Sequence, residues 1–129
     1  MGTPESNFWK TIRKNLPSKC YSTRIESRIA NGVPDTHIVW DGFSFWLELK
    51  TTKNNTIRIS PNQIAWNTAY CSRGGLSFVL VKDTRQSDLY LFGGSQSSEI
   101  ADNGLRTKPL YFGKSLGEMF TALRLCDSV

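Results

Sequence analysis

The run from Asp35 to Lys50 admits few folds. His37-Ile38-Val39-Trp40 and Phe43-Ser44-Phe45-Trp46-Leu47 are rich in β-branched and aromatic residues, and only Asp41-Gly42 separates them. An Asp-Gly pair between two such runs predicts a tight hairpin, because both central residues of the favoured turn sit at positive φ. Side chains alternate across a strand, so Glu48 and Lys50 project to one face while Leu47 and Leu49 project to the other. Folding back at Asp41-Gly42 brings the start of the first strand beside the end of the second. Asp35, which follows Gly32-Val33-Pro34, is thereby expected next to Glu48 and Lys50.

Two carboxylates held a few ångströms apart repel each other and make a seat for a hard divalent cation, which takes oxygen ligands. A neighbouring lysine can hold a phosphate or polarise a water. A half-buried hairpin with solvated charges at its ends would carry the same residues. What points to a site is the context: a Gly-x-Pro turn before the acid, a strongly apolar strand before Glu48-Leu49-Lys50, and room for one hairpin between them.

In this order and spacing the pieces resemble the PD-(D/E)xK nuclease superfamily, most of all its Holliday-junction-resolvase and VRR-NUC branch. The resemblance runs over about the first two thirds of the chain. It rests on Glu5 in a leading helix, the turn Asn31-Gly32-Val33-Pro34-Asp35, the strand Phe45-Trp46-Leu47-Glu48-Leu49-Lys50, and Ser60-Pro61-Asn62-Gln63 opening the next helix. The literal Val-Arg-Arg signature of some relatives is absent. The resemblance implies a restriction-endonuclease-like core and Mg²⁺-dependent hydrolysis of DNA phosphodiester bonds, with Mn²⁺ able to substitute. It further implies that Asp35, Glu48, the carbonyl of Leu49 and Glu5 bind the metal, and that Lys50 and Gln63 serve the attacking water and the developing charge. Branched DNA such as a four-way junction is the implied substrate, and a homodimer the implied assembly. Two other readings stay open, a catalytically inactive nucleic-acid-binding module of the same fold and a sequence-specific restriction-type or homing-type endonuclease.

The order of elements independently predicts an α/β domain, a mixed central sheet flanked by helices, with residues 1–129 forming one domain. Sixteen Lys and Arg against eleven Asp and Glu give a net charge of +5, which favours a polyanionic partner such as DNA. Cys20, Cys71 and Cys126 are odd in number and show no C-x-x-C spacing, so neither a disulfide framework nor a zinc site is indicated. With neither a signal peptide nor a membrane-spanning apolar run to be read, the expectation is a soluble, cytoplasmic protein.

Along the chain, Thr3-Pro4-Glu5 opens a helix whose apolar stripe is Phe8, Ile12 and Leu16, and Pro17 ends it. Glu5 fits two roles, a partner of the helix dipole or an acid facing the metal. Tyr21 to Ile29 alternates and predicts a strand. On it Glu26 rivals Glu5 as third acid, and Arg24 and Arg28 could pair with Glu26 or touch a DNA backbone. The polar Thr51–Thr56 loop places Lys53, with Arg58 just beyond, where phosphates could be gripped. Ser60-Pro61-Asn62-Gln63 is a capping box, so Gln63 has a structural role complete in itself beside the active-site role that the resemblance implies. His37, the one histidine, and Trp40 and Trp46 are read as packed residues. Leu76–Val81 and Asp88–Phe92 predict two buried strands, Gly93–Lys108 an irregular excursion, and Leu116, Met119, Phe120 and Leu123 a final amphipathic helix.

Overall fold

Asp41 (φ 49°) and Gly42 (φ 84°) both occupy the left-handed region, the conformation that an Asp-Gly hairpin turn requires. In a computed structural model, which describes residues 2–25 and 32–126, helix α1 (Pro4–Lys14) leads into strands β1 (Cys20–Arg24), β2 (Thr36–Trp40) and β3 (Phe43–Thr52). Helix α2 (Pro61–Ser72) then connects β3 to β4 (Ser77–Asp83), and β5 (Asp88–Gly93) returns beside it. A short helix α3 (Ser97–Asn103), the edge strand β6 (Tyr111–Gly113) and helix α4 (Leu116–Leu125) complete the chain. The described strands form one six-stranded sheet in the order β1-β2-β3-β4-β5-β6. Every neighbouring pair is antiparallel except β3 and β4, which run parallel because α2 supplies the crossover. The sheet is therefore mixed and flanked by helices, as expected.

Two apolar layers hold it. On one face Phe8 and Ile12 of α1 and Met119, Phe120 and Leu123 of α4 cover Ile38, Phe45, Leu47, Leu49, Leu80 and Leu91. On the other, Ile57 and Ile100 pack on Val79, Val81 and Phe92. Strand β4 is buried on both sides, which is why Phe78-Val79-Leu80-Val81 reads as an unbroken apolar run. The expected caps are present. Thr3 accepts from the Ser6 N–H, and Ser60 and Gln63 exchange both bonds of the capping box.

Three expectations need correction. The Gly93–Lys108 segment is not irregular: it folds as a 3₁₀ turn (Gly94–Gln96), α3 and a second 3₁₀ turn (Gly104–Arg106). The Gln96 amide ties its ends together, accepting from the Gly93 N–H and donating to the Lys108 carbonyl, and Ile100 is buried against the sheet. The strand expected from Tyr21 to Ile29 is β1, ending at Arg24. Glu26 and Arg28 lie outside the described residues. Trp40 packs edge-on against Phe43 and Phe120, but Trp46 is half-buried on the opposite face, between His37 (4.8 Å between ring centroids) and Trp66 (5.9 Å). Among the described residues no helix is long and apolar enough to cross a membrane.

Candidate active site

Antiparallel pairing of Thr36 with Leu47 sets Asp35, one residue before β2, opposite Glu48. The Asp35 N–H donates to Glu48 Oε1 at 3.1 Å. The turn before it is fixed against α2: Gly32 has φ +90°, and a Cβ there would meet the Asn62 carbonyl oxygen at 2.2 Å. Only glycine allows that approach, so the Gly-x-Pro-Asp turn is clamped to the start of α2 and delivers Asp35 to the sheet.

Along β3 the alternation is as expected. Leu47 and Leu49 enter the core, and Glu48 and Lys50 face the α2 side. Lys50 Nζ lies 3.6 Å from Glu48 Oε2 and donates to Gln63 Oε1 at 3.3 Å. Gln63 Nε2 in turn donates to Glu48 Oε2 at 3.3 Å, while its Oε1 also accepts from the Ser60 N–H. The two roles open to Gln63 in the sequence are thus served by one side chain. Its carbonyl oxygen closes the cap and receives Lys50, and its amide nitrogen reaches Glu48.

Electrostatics at the site are unfavourable to paired anions. Burial pushes the Glu48 carboxyl up to about 7, the neighbouring Asp35 carboxylate adds to the rise, and Lys50 and the Asp35 N–H oppose it. Burial raises Asp35 as well, against the pull of Arg24, the Thr36 hydroxyl, Lys50 and the Leu49 N–H. Burial thus penalises the paired anions even with Lys50 and Arg24 alongside.

Arg24, expected on a DNA backbone, is turned inward. Its Nη1 lies 3.4 Å from Asp35 Oδ1 and donates to Thr36 Oγ1, and its guanidinium stacks 5.3 Å from the Trp9 ring centroid. Thr36 Oγ1 also donates to Asp35 Oδ1. Arg24 and Thr36 therefore orient Asp35. No local sequence pattern signals this, because it depends on the register that sets Arg24 opposite Thr36 across β1 and β2. Glu5, at the start of α1, accepts a hydrogen bond from the Thr51 hydroxyl and lines a cavity of ≈ 460 Å³ with Lys50, Lys53 and Arg58. The structure does not bring it into the Asp35–Glu48 pair, and among the described residues no group of three or more His, Cys, Asp or Glu stands together as a ready metal cage. Lys53 and Arg58 are exposed beside the site, and His37 is packed on Trp46.

No protein-family model matches the chain, and no curated protein sequence matches it. Its fold is similar to that of Hjc, a Holliday junction resolvase from the archaeal hyperthermophile Archaeoglobus fulgidus. The TM-score is 0.55 at 15% sequence identity, over 74% of this chain and 78% of that one. The likeness is one of fold: a mixed sheet flanked by helices.

Proposed function

We propose that the chain is a divalent-metal-dependent endonuclease that cuts branched DNA. The observation that carries this reading is the Asp35–Glu48 pair, held at the end of one hairpin with Lys50 and Gln63 bonded to it. The resolvase-like fold supports it, as does the net positive charge.

The residues present fit a hard cation. The donor set offers only oxygens, from Asp35, Glu48 and the Leu49 carbonyl, and burial together with the neighbouring Asp35 carboxylate pushes Glu48 up to about 7, a penalty on the paired anions that a bound cation would relieve. When bound, a Mg²⁺ or Mn²⁺ ion would supply Lewis-acid polarisation of a phosphate and a more acidic water. The chain's own groups do the rest. Arg24 and Thr36 hold the Asp35 carboxylate in one orientation, and the Asp35 N–H and Gln63 hold that of Glu48. Lys50, fixed between Glu48 and Gln63, keeps N–H donors free for an attacking water or the charge developing on a phosphate oxygen. Glu5 takes part through a water, from its seat on Thr51.

Two-fold pairing of such sites would match the two equivalent strands of a four-way junction, so a homodimer is part of the proposal. The test is incubation of four-way-junction, flapped and linear duplex DNA with Mg²⁺ or EDTA. Symmetric nicking of the junction, lost in EDTA and reduced roughly a hundredfold or more in folded Asp35→Asn and Glu48→Gln, is the expected outcome. Full activity in either variant, or equal cutting of linear duplex, would count against the metal site or the branched substrate respectively.

A further inference from the structure

Lys50 and Gln63, the two side chains bonded at Glu48, also line cavities that continue past the site. The cavity lined by Glu5, Lys50, Lys53 and Arg58 shares Lys50 and Arg58 with a second, of ≈ 560 Å³, that reaches Gln63. It shares Asn54 and Thr56 with a third, of ≈ 340 Å³, whose far wall is Ala101 to Arg106. The three share lining residues and together run from Lys50 and Gln63, along the loop after β3, to the α3 segment.

The charges along this channel are distinctive. Lys53, Arg58 and Arg106 are exposed, and among the described residues none of them lies within ion-pair distance of a carboxylate. By contrast Arg24, Lys50, Arg85 and Lys114 are each matched to an acid. Unmatched cations lie on both walls of the channel. The acids on its lining are Glu5, bonded to Thr51, and Asp102.

The walls are also fixed with respect to each other. Leu105 N–H donates to the Asn55 carbonyl at 3.0 Å. Gly104 has φ +58°, and a Cβ there would meet that same carbonyl oxygen at 2.0 Å, so glycine alone permits the contact. The Asn55 side chain accepts from Arg85 Nη2 at 2.7 Å, and Arg85 is itself anchored on the buried Asp83 through two further bonds. Ile57 is buried against Ile100 beneath the loop. A flexible loop would lose its conformational freedom on gripping a phosphate, whereas this one is already ordered.

Resting on the nuclease reading above, we propose that this channel takes the sugar-phosphate backbone of one DNA strand leaving the cleavage site, with Arg58 and Arg106 as phosphate contacts on its two walls and the α3 segment as the brace that fixes their spacing. Sugar-phosphate contacts carry no sequence information, so the channel would add affinity and register rather than base preference.

The experiment is binding of a fluorescein-labelled four-way junction in EDTA, followed by anisotropy across a salt series, for the wild type, Arg58→Ala, Arg106→Ala, the double variant and Arg13→Ala. Arg13, exposed on α1 and lining none of the three cavities, controls for the loss of one charge. Each channel variant should lower the slope of log affinity against log salt by about 0.9 and weaken binding roughly fivefold to tenfold at 0.1 M salt, with the two losses adding. Arg13→Ala should match the wild type. An Arg106→Ala variant that behaves like Arg13→Ala, or a wild type that binds no DNA, would overturn the channel. Because binding is read without metal, tight wild-type binding with no cleavage in Mg²⁺ would instead sink the nuclease reading and leave the channel standing.

Discussion

The two faces of β3 do opposite things with the same stretch of backbone. Leu47 and Leu49 are 0% and 1% exposed and lie among the aromatic and aliphatic side chains of α1 and α4. One residue away in each case, the Glu48 and Lys50 side chains are 12% and 20% exposed, and their partners are a like charge, an amide and each other. The strand is rigid because one face is close-packed, and that rigidity is what lets the other keep two carboxylates closer than they would choose. Stability and the proposed chemistry are thus separated by strand alternation, and substitutions on the two faces should move different measurements.

The largest effect is expected on the apolar face. Leu49→Ala removes a fully enclosed side chain and should destabilise the fold by about 2–5 kcal/mol in urea unfolding. Its turnover per folded molecule should stay near that of the wild type. A variant that folds with wild-type stability would show that the core relaxes around the gap; one that folds but cuts no DNA would show that the two faces are not separable.

How far each face is legible in the sequence follows from the range of the interactions. The Asp35–Glu48–Lys50 cluster needs only strand alternation and one Asp-Gly turn, both local, and the structure places all three as expected. Gln63 is legible for the same reason, since its cap is three residues long. The inward turn of Arg24 depends on how β1 registers on β2, Arg24 opposite Thr36, and no short-range pattern encodes that. Helix α3 is silent because its apolar content is small, and what orders it is remote: Gln96 bridging Gly93 to Lys108, and Ile100 reaching Phe92 and Val81. Strand β6, three residues long, exists by virtue of pairing with Leu89–Leu91.

A middle-sized effect, of opposite sign, is expected on the polar face. The folded-state pKa of Glu48 lies above its ordinary value, at about 7 against 4.5. The stabilisation from its proton is therefore complete below pH ~4.5 and is lost as pH rises through about 7, where the anion must sit beside Asp35. In EDTA, Glu48→Gln should be more stable than the wild type at pH 8, by on the order of 2 kcal/mol, and the gap should close as pH falls toward 5. Arg24, Lys50 and the Gln63 amide face the same carboxylates. Thermal melts at pH 5, 6, 7 and 8 check it; a gap that does not change with pH would mean that Glu48 is ionised in the fold at every pH tested.

The smallest effect joins the two faces' logic in one residue. Ser60→Ala removes the hydroxyl that caps α2 and should cost about 1 kcal/mol, with no change in turnover. Gln63→Ala removes the reciprocal half of the same cap, so its loss of stability should be similar, but it also strips Lys50 and Glu48 of their shared partner. Its cleavage rate per folded molecule should therefore fall well beyond that of Ser60→Ala, and the fall should appear in kcat rather than in DNA binding measured in EDTA. Gln63→Glu sharpens the point: its carboxylate can still accept from Ser60 and Lys50 but cannot donate to Glu48, and it adds a third negative charge to the pair. If it retains the wild-type rate, the Gln63–Glu48 bond plays no part in the chemistry. A loss of both stability and rate points to the amide nitrogen as the atom that makes the crowded polar face tolerable.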